Sequence, residues 1–287
     1  MNEPTQAALT IGQLAPAEIE VADRLLIAAY GMASRRAALE RYLALQPDGW
    51  ILARWDGQPA GAAGATVYGP TAYIGLVGVD PAFQRRGIAL AMMQHLLTWL
   101  AVRGDPIVLL DASVKGAPLY EQLGFVDDER SVVYMQDDCA RLPPEPARVS
   151  TLAAGDLPAV AAFDAPIFGA ERAAVFKRLR AEAPDRALLA RDEAGYVSGY
   201  LFAQPTMLGP WAARTPADAE ALLGAALRLS FASGPGALVP SSNPDAAALL
   251  MRYGFSPQRS LRHMRLGGSG PVGLRERLYG LASFAIG

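Results

Sequence analysis

Cysteine occurs once in this 287-residue chain and histidine twice, and neither sign of charge prevails: 26 Lys and Arg stand against 28 Asp and Glu, a net charge of −2. A lone cysteine, Cys139, excludes an intramolecular disulfide and most structural zinc sites, and fits a reducing compartment. Without a basic excess to neutralise phosphates, nucleic acid is not expected as a partner. No uninterrupted apolar run reaches membrane-spanning length, and Met1 to Gln6 lack the basic and apolar regions of a signal peptide. The expectation is a cytoplasmic chain with no membrane partner and no metal. His95 falls mid-helix and His263 on a late strand, neither with a partner at ligand or triad spacing in the sequence.

What is abundant is apolar material. Hydrophobic residues make up 52% and charged residues 19%, enough for two cores and no case for disorder. The first half reads as strands at Leu9–Leu14, Trp50–Trp55, Ala60–Tyr68 and Tyr73–Val79, with Asp56-Gly57 as a hairpin turn. Helices are expected at Pro16–Tyr30, Ser34–Leu45, Ile88–Val102 and Ala117–Leu123, the last ended by Gly124. Strands at Pro106–Asp111 and Ser131–Gln136 complete a mixed α/β sheet. Leu142-Pro143-Pro144-Glu145-Pro146 is the clearest linker, since consecutive prolines continue neither helix nor sheet.

Beyond it the pattern restarts. Strands are expected at Arg148–Leu152, Ala187–Arg191, Val197–Gln204, Thr206–Trp211, Ala237–Pro240 and Ser260–Arg265. Helices are expected at Leu157–Phe163, Glu171–Arg180, Ala217–Phe231 and Asp245–Arg252. Val77-Gly78-Val79 aligns without gaps to Leu208-Gly209-Pro210, and the Leu123-Gly124-Phe125 corner recurs as Tyr253-Gly254-Phe255. This is an internal duplication, with domains expected at 1–142 and 143–287.

The segment richest in chemistry is Val77-Gly78-Val79-Asp80-Pro81-Ala82-Phe83-Gln84-Arg85-Arg86-Gly87-Ile88-Ala89. An apolar strand delivers the chain through an Asp-Pro turn into a basic, glycine-containing helix start. First-turn N–H groups have no intrahelical partner and the helix dipole adds positive charge there, so the place suits phosphate. It lacks the Gly-Lys-Ser/Thr end of a Walker A loop and the paired glycines of a dinucleotide fingerprint.

The string resembles the acetyl-CoA pyrophosphate loop of the GCN5-related N-acetyltransferases, Gln/Arg-x-x-Gly-x-Gly/Ala after a valine-rich strand, with Gln84, Gly87 and Ala89 at the fixed positions. A second family pattern, Asn-x-x-Ala-x-x-Leu-Tyr-x-x-x-Gly-Phe, is met by Ser113 to Phe125, with Tyr120 at the tyrosine but Ser113 and Gly116 in place of asparagine and alanine. The resemblance implies two tandem domains of this fold, the first binding acetyl-CoA through Val77, Val79, Gln84, Arg85, Arg86, Gly87, Ile88, Ala89, Ser113 and Tyr120. It implies the Val79 N–H as donor to the thioester carbonyl. Gly78 beside it suits a bulge that turns that donor out of the ladder. Tyr120 is the expected general acid, its ordinary pKa near 10 lying above that of a thiol. Asp111 is the first candidate base, with Glu121 and Asp80 behind it; direct attack with water carrying off the proton needs no base.

In the gapless register the second half replaces Gln84 to Ala89 by Thr215-Pro216-Ala217-Asp218-Ala219-Glu220, a helix-start signal whose acids repel pyrophosphate. Asn243 and Ala246 match the second pattern, but Leu250 takes the tyrosine position. That asymmetry resembles the two-domain YitH-like acetyltransferases, and the second domain is expected to shape the substrate site rather than bind cofactor. Trp50, Tyr68, Tyr73, Phe168, Tyr200 and Trp211 are candidate walls for it. The expected substrate is a small primary amine, an amino acid, amino sugar or polyamine-like molecule. A non-catalytic CoA-binding scaffold and a protein N-terminal or lysine acetyltransferase are the alternatives, and the chain is expected to be a monomer or homodimer.

Overall fold

Alternating small and large apolar residues before the long helix at 88 set up a meander that helices can approach closely. The computed structural model describes residues 8–104, 106–137, 142–144, 148–231 and 233–287. These divide into two compact units, one of residues up to Val108 together with Ile286, the other from Leu109 to Ala285 together with Gly287.

In the first unit β1 (Leu9–Gln13), β2 (Trp50–Trp55), β3 (Gln58–Val67) and β4 (Thr71–Val79) follow one another in an antiparallel meander. Asp56 and Gly57, both at positive φ, make the two-residue turn from β2 to β3. Strand β3 carries Ala60, Ala62, Ala63 and Ala65, all buried, and its short side chains let helices pack close. Helix α1 (Ile19–Tyr30) buries Ala22, Leu25 and Leu26, α2 (Arg36–Leu45) follows it, and α3 (Ile88–Ala101) buries Ile88, Met92, Met93, Leu96 and Leu100. The 3.6-residue spacing of these side chains is what places one face of each helix in the core.

The second unit takes in β5 (Ile107–Ala112) from Leu109 on, α4 (Ala117–Gln122) and β6 (Val126–Gln136). Then come β7 (Val149–Thr151), α5 (Leu157–Phe168), α6 (Ala173–Glu182), β8 (Ala187–Arg191), β9 (Val197–Ala203), β10 (Met207–Ala213) and α7 (Pro216–Ala226). β11 (Gly236–Pro240), α8 (Pro244–Arg252), β12 (Phe255–Leu266) and β13 (Leu278–Gly280) complete it. The strand order is β5-β12-β6-β11-β10-β9-β8-β7, with β13 on β10. β10 and β11 are parallel, while β6 lies between β11 and β12 and is antiparallel to both. A strand from before the proline linker is thus central to a sheet built mainly from residues after it.

Several elements run past their expected bounds for non-local reasons. β6 starts at Val126, although Asp127-Asp128-Glu129-Arg130 reads as a loop. Its acids are paired from afar: Arg262 Nε with Asp127 at 2.7 Å, Arg265 Nε with Asp128 at 2.6 Å, and Arg275 with Glu129. β12 is lengthened by the same partnership. α5 continues through Pro166 to Phe168, bringing Asp164 into a fully buried bidentate pair with Arg172, at 2.8 and 3.0 Å. β13 is not among the expected strands. Cys139 and part of the proline linker lie outside the described residues.

Candidate active site

Strand β4 ends where the first candidate site begins. Ala62 pairs with Gly78 but Gly64 with Gly75, so Leu76 and Val77 stand opposite Ala63 alone, and Leu76 has φ +54°. This β-bulge lies just before Gly78, not at it. Gly78 has another reason: a Cβ there would lie 2.8 Å from Leu26 Cδ2, where α1 crosses. After the bulge, the Asp80 N–H donates to Ala60 O at 2.9 Å, and alternation along an antiparallel ladder turns the N–H and C=O of Val79 away from β3. The Val79 carbonyl accepts Gln84 Nε2 at 3.0 Å.

Eight residues (80–87) join β4 to α3. Asp80 accepts the Ala82 N–H at 2.9 Å and opens a 3-10 turn, Pro81–Phe83. Arg85 and Gly87 both take positive φ, +65° and +78°, bending the backbone into a concave loop. Among the described residues the N–H groups of 85–90 donate to no protein acceptor; the first that does is Ala91, to Gly87 O at 3.0 Å. No side chain caps α3. Six consecutive free donors at the positive end of a 14-residue helix, with two exposed guanidiniums beside them, form an anion cradle. The Arg86 guanidinium lies over the rings of Trp55 and Phe83, at 5.3 and 5.4 Å, which fixes its stem.

In the second unit α4 presents Tyr120. Its ring is buried edge-on to Phe125, centroids 5.9 Å apart, and burial pushes the phenol up to about 12. Among the described residues its hydroxyl makes no hydrogen bond. Gly116 lies beneath the ring: a Cβ there would be 3.1 Å from Tyr120 Cε2, a tight contact to which the ring would have to yield by a few tenths of an ångström. Ser113 Oγ accepts the Gly116 N–H at 3.1 Å and fastens the turn into α4. The Asp111 carboxylate is wholly buried; it accepts Ser131 Oγ at 2.6 Å and meets His263 Nδ1 at 3.2 Å. His263, with no partner at ligand or triad spacing in the sequence, thus has one in the fold. Its partner lies 152 residues away, a distance no local pattern reveals. His95 is exposed on α3.

The gapless register of the two halves also fails. Only two residues (214–215) join β10 to α7, so the second copy has no loop to compare with 80–87. Thr215 Oγ1 caps α7 through the Asp218 N–H at 3.2 Å, and Asp218 accepts Ser198 Oγ at 2.7 Å. Leu250 is fully buried. The six aromatic side chains expected to wall a substrate pocket lie in the cores. Trp50 stacks on Tyr42 at 5.1 Å, Trp211 packs on Tyr279, and Tyr200 and Phe168 contact the Asp164–Arg172 pair. Tyr73 is fully buried, and Tyr68 donates to Ile286 O at 2.9 Å.

Residues 19–125 match the family model described as Acetyltransferase (GNAT) family, and residues 160–280 match the Acetyltransferase (GNAT) domain. The chain belongs to the GCN5-related N-acetyltransferase (GNAT) superfamily. It is an acyltransferase with two domains of this kind. A solved Pyrococcus horikoshii structure, named as an acetyltransferase, is similar over 100% of this chain and 98% of its own, at 28% identity and a TM-score of 0.84. A GCN5-related N-acetyltransferase from Sphaerobacter thermophilus covers 92% of this chain and 98% of its own, at 18% identity and TM-score 0.69. One from Anabaena variabilis covers 90% of this chain and 72% of its own, at 15% and 0.60; these two share the fold. A search of curated proteins gives no match. Among the described residues no helix is long and apolar enough to cross a membrane, and no cluster of His, Cys, Asp and Glu could hold a metal ion.

Proposed function

We propose that the chain transfers the acetyl group of acetyl-CoA to the primary amine of a small molecule, with one cofactor site, in the first sequence domain (1–142). The observation that carries this reading is the run of free N–H donors at 85–90 flanked by Arg85 and Arg86, which suits a pyrophosphate in position, charge and number. When bound, acetyl-CoA supplies an activated acyl group on a thiolate leaving group.

The residues divide the remaining work. Gln84 ties the cradle to the end of β4, so the anion site and the Val79 N–H are held at a fixed separation. The Val79 N–H donates to the thioester oxygen as negative charge develops on it. Tyr120, kept protonated by burial, gives its proton to the departing sulfur. Asp111 is engaged by Ser131 and His263 and serves the sheet; the amine proton leaves through water. The second domain (143–287) contributes shape to the amine site rather than cofactor chemistry, and the absence of a charge excess suits a small amine over a charged peptide.

The test is a CoA titration by calorimetry, followed by thiol release with a panel of amino acids, amino sugars and polyamines. Binding of one CoA and turnover with at least one amine is expected. Absence of both CoA binding and turnover would overturn the reading. Binding with a Tyr120→Phe rate equal to wild type would favour the scaffold alternative.

A further inference from the structure

β10 and β11 are parallel, yet they pair only at Met207↔Gly236 and Leu208↔Ala237. Past that point the strands part, and two edges of backbone donors and acceptors would face an open cleft. The chain's own later residues fill it. β13 pairs antiparallel with β10 at Trp211↔Gly280 and Ala212↔Leu278, and the Leu281 N–H donates across to Leu238 O of β11 at 2.8 Å.

The fit is close. A Cβ on Gly209 would lie 2.2 Å from Leu281 O, and one on Gly280 would lie 2.4 Å from Leu208 O. Two amide side chains hold the segment in place: Asn243 Nδ2 donates to Leu278 O at 3.0 Å and Gln204 Nε2 to Ala282 O at 2.9 Å. Tyr279 packs on Trp211, ring centroids 5.2 Å apart, and Leu278 and Leu281 are fully buried.

The position of this cleft has a chemical meaning that rests on the function proposed above. In the first domain a CoA whose pyrophosphate sits at 84–89 and whose thioester meets Val79 must run its pantetheine arm along the edge of β4 that faces away from β3. That arm is an extended chain with two amides, so it asks of a strand edge what a peptide asks. The β10 edge is the counterpart in the duplicated fold. We propose that Leu278–Ala282 is a built-in occupant of the second domain's cofactor cleft, a peptide standing where a pantetheine arm would lie. With the cradle loop shortened to two residues, it closes that domain to CoA and satisfies the edges a bound cofactor would otherwise cover.

Amide hydrogen exchange on the full chain, beside a calorimetric CoA titration, tests this. Protection of 278–282 without ligand, unchanged at saturating CoA, with one CoA per chain, is expected. Protection lost on adding CoA, or two CoA per chain, would overturn the proposal. Asn243→Asp keeps the oxygen that caps α8 through the Ala246 N–H but removes the donor to Leu278. Exchange in 278–282 should then speed up ~10-fold, about the worth of one buried hydrogen bond, and millimolar pantetheine should slow exchange at 211–213 and 238–239 in this variant alone. No response to pantetheine in the loosened variant would refute the cofactor-cleft assignment. A full chain that binds no CoA but whose loosened variant answers to pantetheine would count against the first-domain reading while upholding the cleft.

Discussion

Gln84 reaches back across five residues and donates its side-chain amide to the carbonyl of Val79 at 3.0 Å. The residue that opens the loop of free donors is thereby hydrogen-bonded to the residue whose N–H is proposed to meet the thioester. Cutting this tie with Gln84→Ala should raise the KM for acetyl-CoA ~5-fold, as expected for about 1 kcal/mol of a neutral hydrogen bond, with a smaller effect on kcat. Steady-state kinetics at saturating amine read the split.

Arg85→Ala and Arg86→Ala each remove a charge beside the cradle. A charge-assisted hydrogen bond to phosphate is worth about 1.5–3 kcal/mol, so CoA affinity should fall ~10- to 100-fold, and the salt dependence of binding should flatten. Dephospho-CoA and pantetheine separate the contributions: the variants should bind pantetheine as well as wild type does.

Tyr120→Phe should lower kcat ~10²–10⁴-fold, the usual contribution of a positioned acid, and leave CoA affinity unchanged. The same residue predicts alkaline instability. Its folded pKa of about 12 lies above the ordinary 10, so the unfolded chain ionises first. Its stabilising share is intact below pH 10 and is lost as pH rises towards 12, amounting to about 2–3 kcal/mol. Tyr279 is likewise pushed up to about 12, so the variant should lessen the alkaline fall in denaturation midpoint without abolishing it.

Asp111→Ala removes the acceptor shared by Ser131 and His263 inside the sheet. Loss of such a buried pairing should destabilise the chain by about 2–4 kcal/mol, read by urea denaturation. The rate per folded molecule should hold at temperatures where the variant remains folded. A large drop in kcat with unchanged stability would instead make Asp111 the base.

Gly116→Ala restores the residue common in the family but sets a Cβ 3.1 Å from the Tyr120 ring. The ring must move by a few tenths of an ångström, and kcat should fall a few-fold, about 3- to 10-fold, because proton transfer depends on position more than on affinity.

Local chemistry was well recorded in the sequence. The Asp-Pro turn, the free helix start of α3 and the capped start of α7 depend on neighbours within a few residues, and each lies where the residues put it. What escaped depends on contacts far along the chain. The charged run Asp127–Glu129 became strand because Arg262, Arg265 and Arg275 answer it. His263 found Asp111, and the six candidate aromatic rings fill cores, which spacing alone cannot distinguish from clefts. The alignment of the two halves failed at the connection from β4 to α3, where the second copy is shorter by six residues.

Strand β6 draws its hydrogen-bonding partners from residues 236–240 and 255–265. During synthesis it is made about a hundred residues before either neighbour begins, so residues 137–235 must follow before it can pair with them. The acids at 127–129 have no arginine partner until residues 262–275 have been made. A pause or truncation after the proline run would leave an orphan strand, and a gene split there would part it from both of its neighbours.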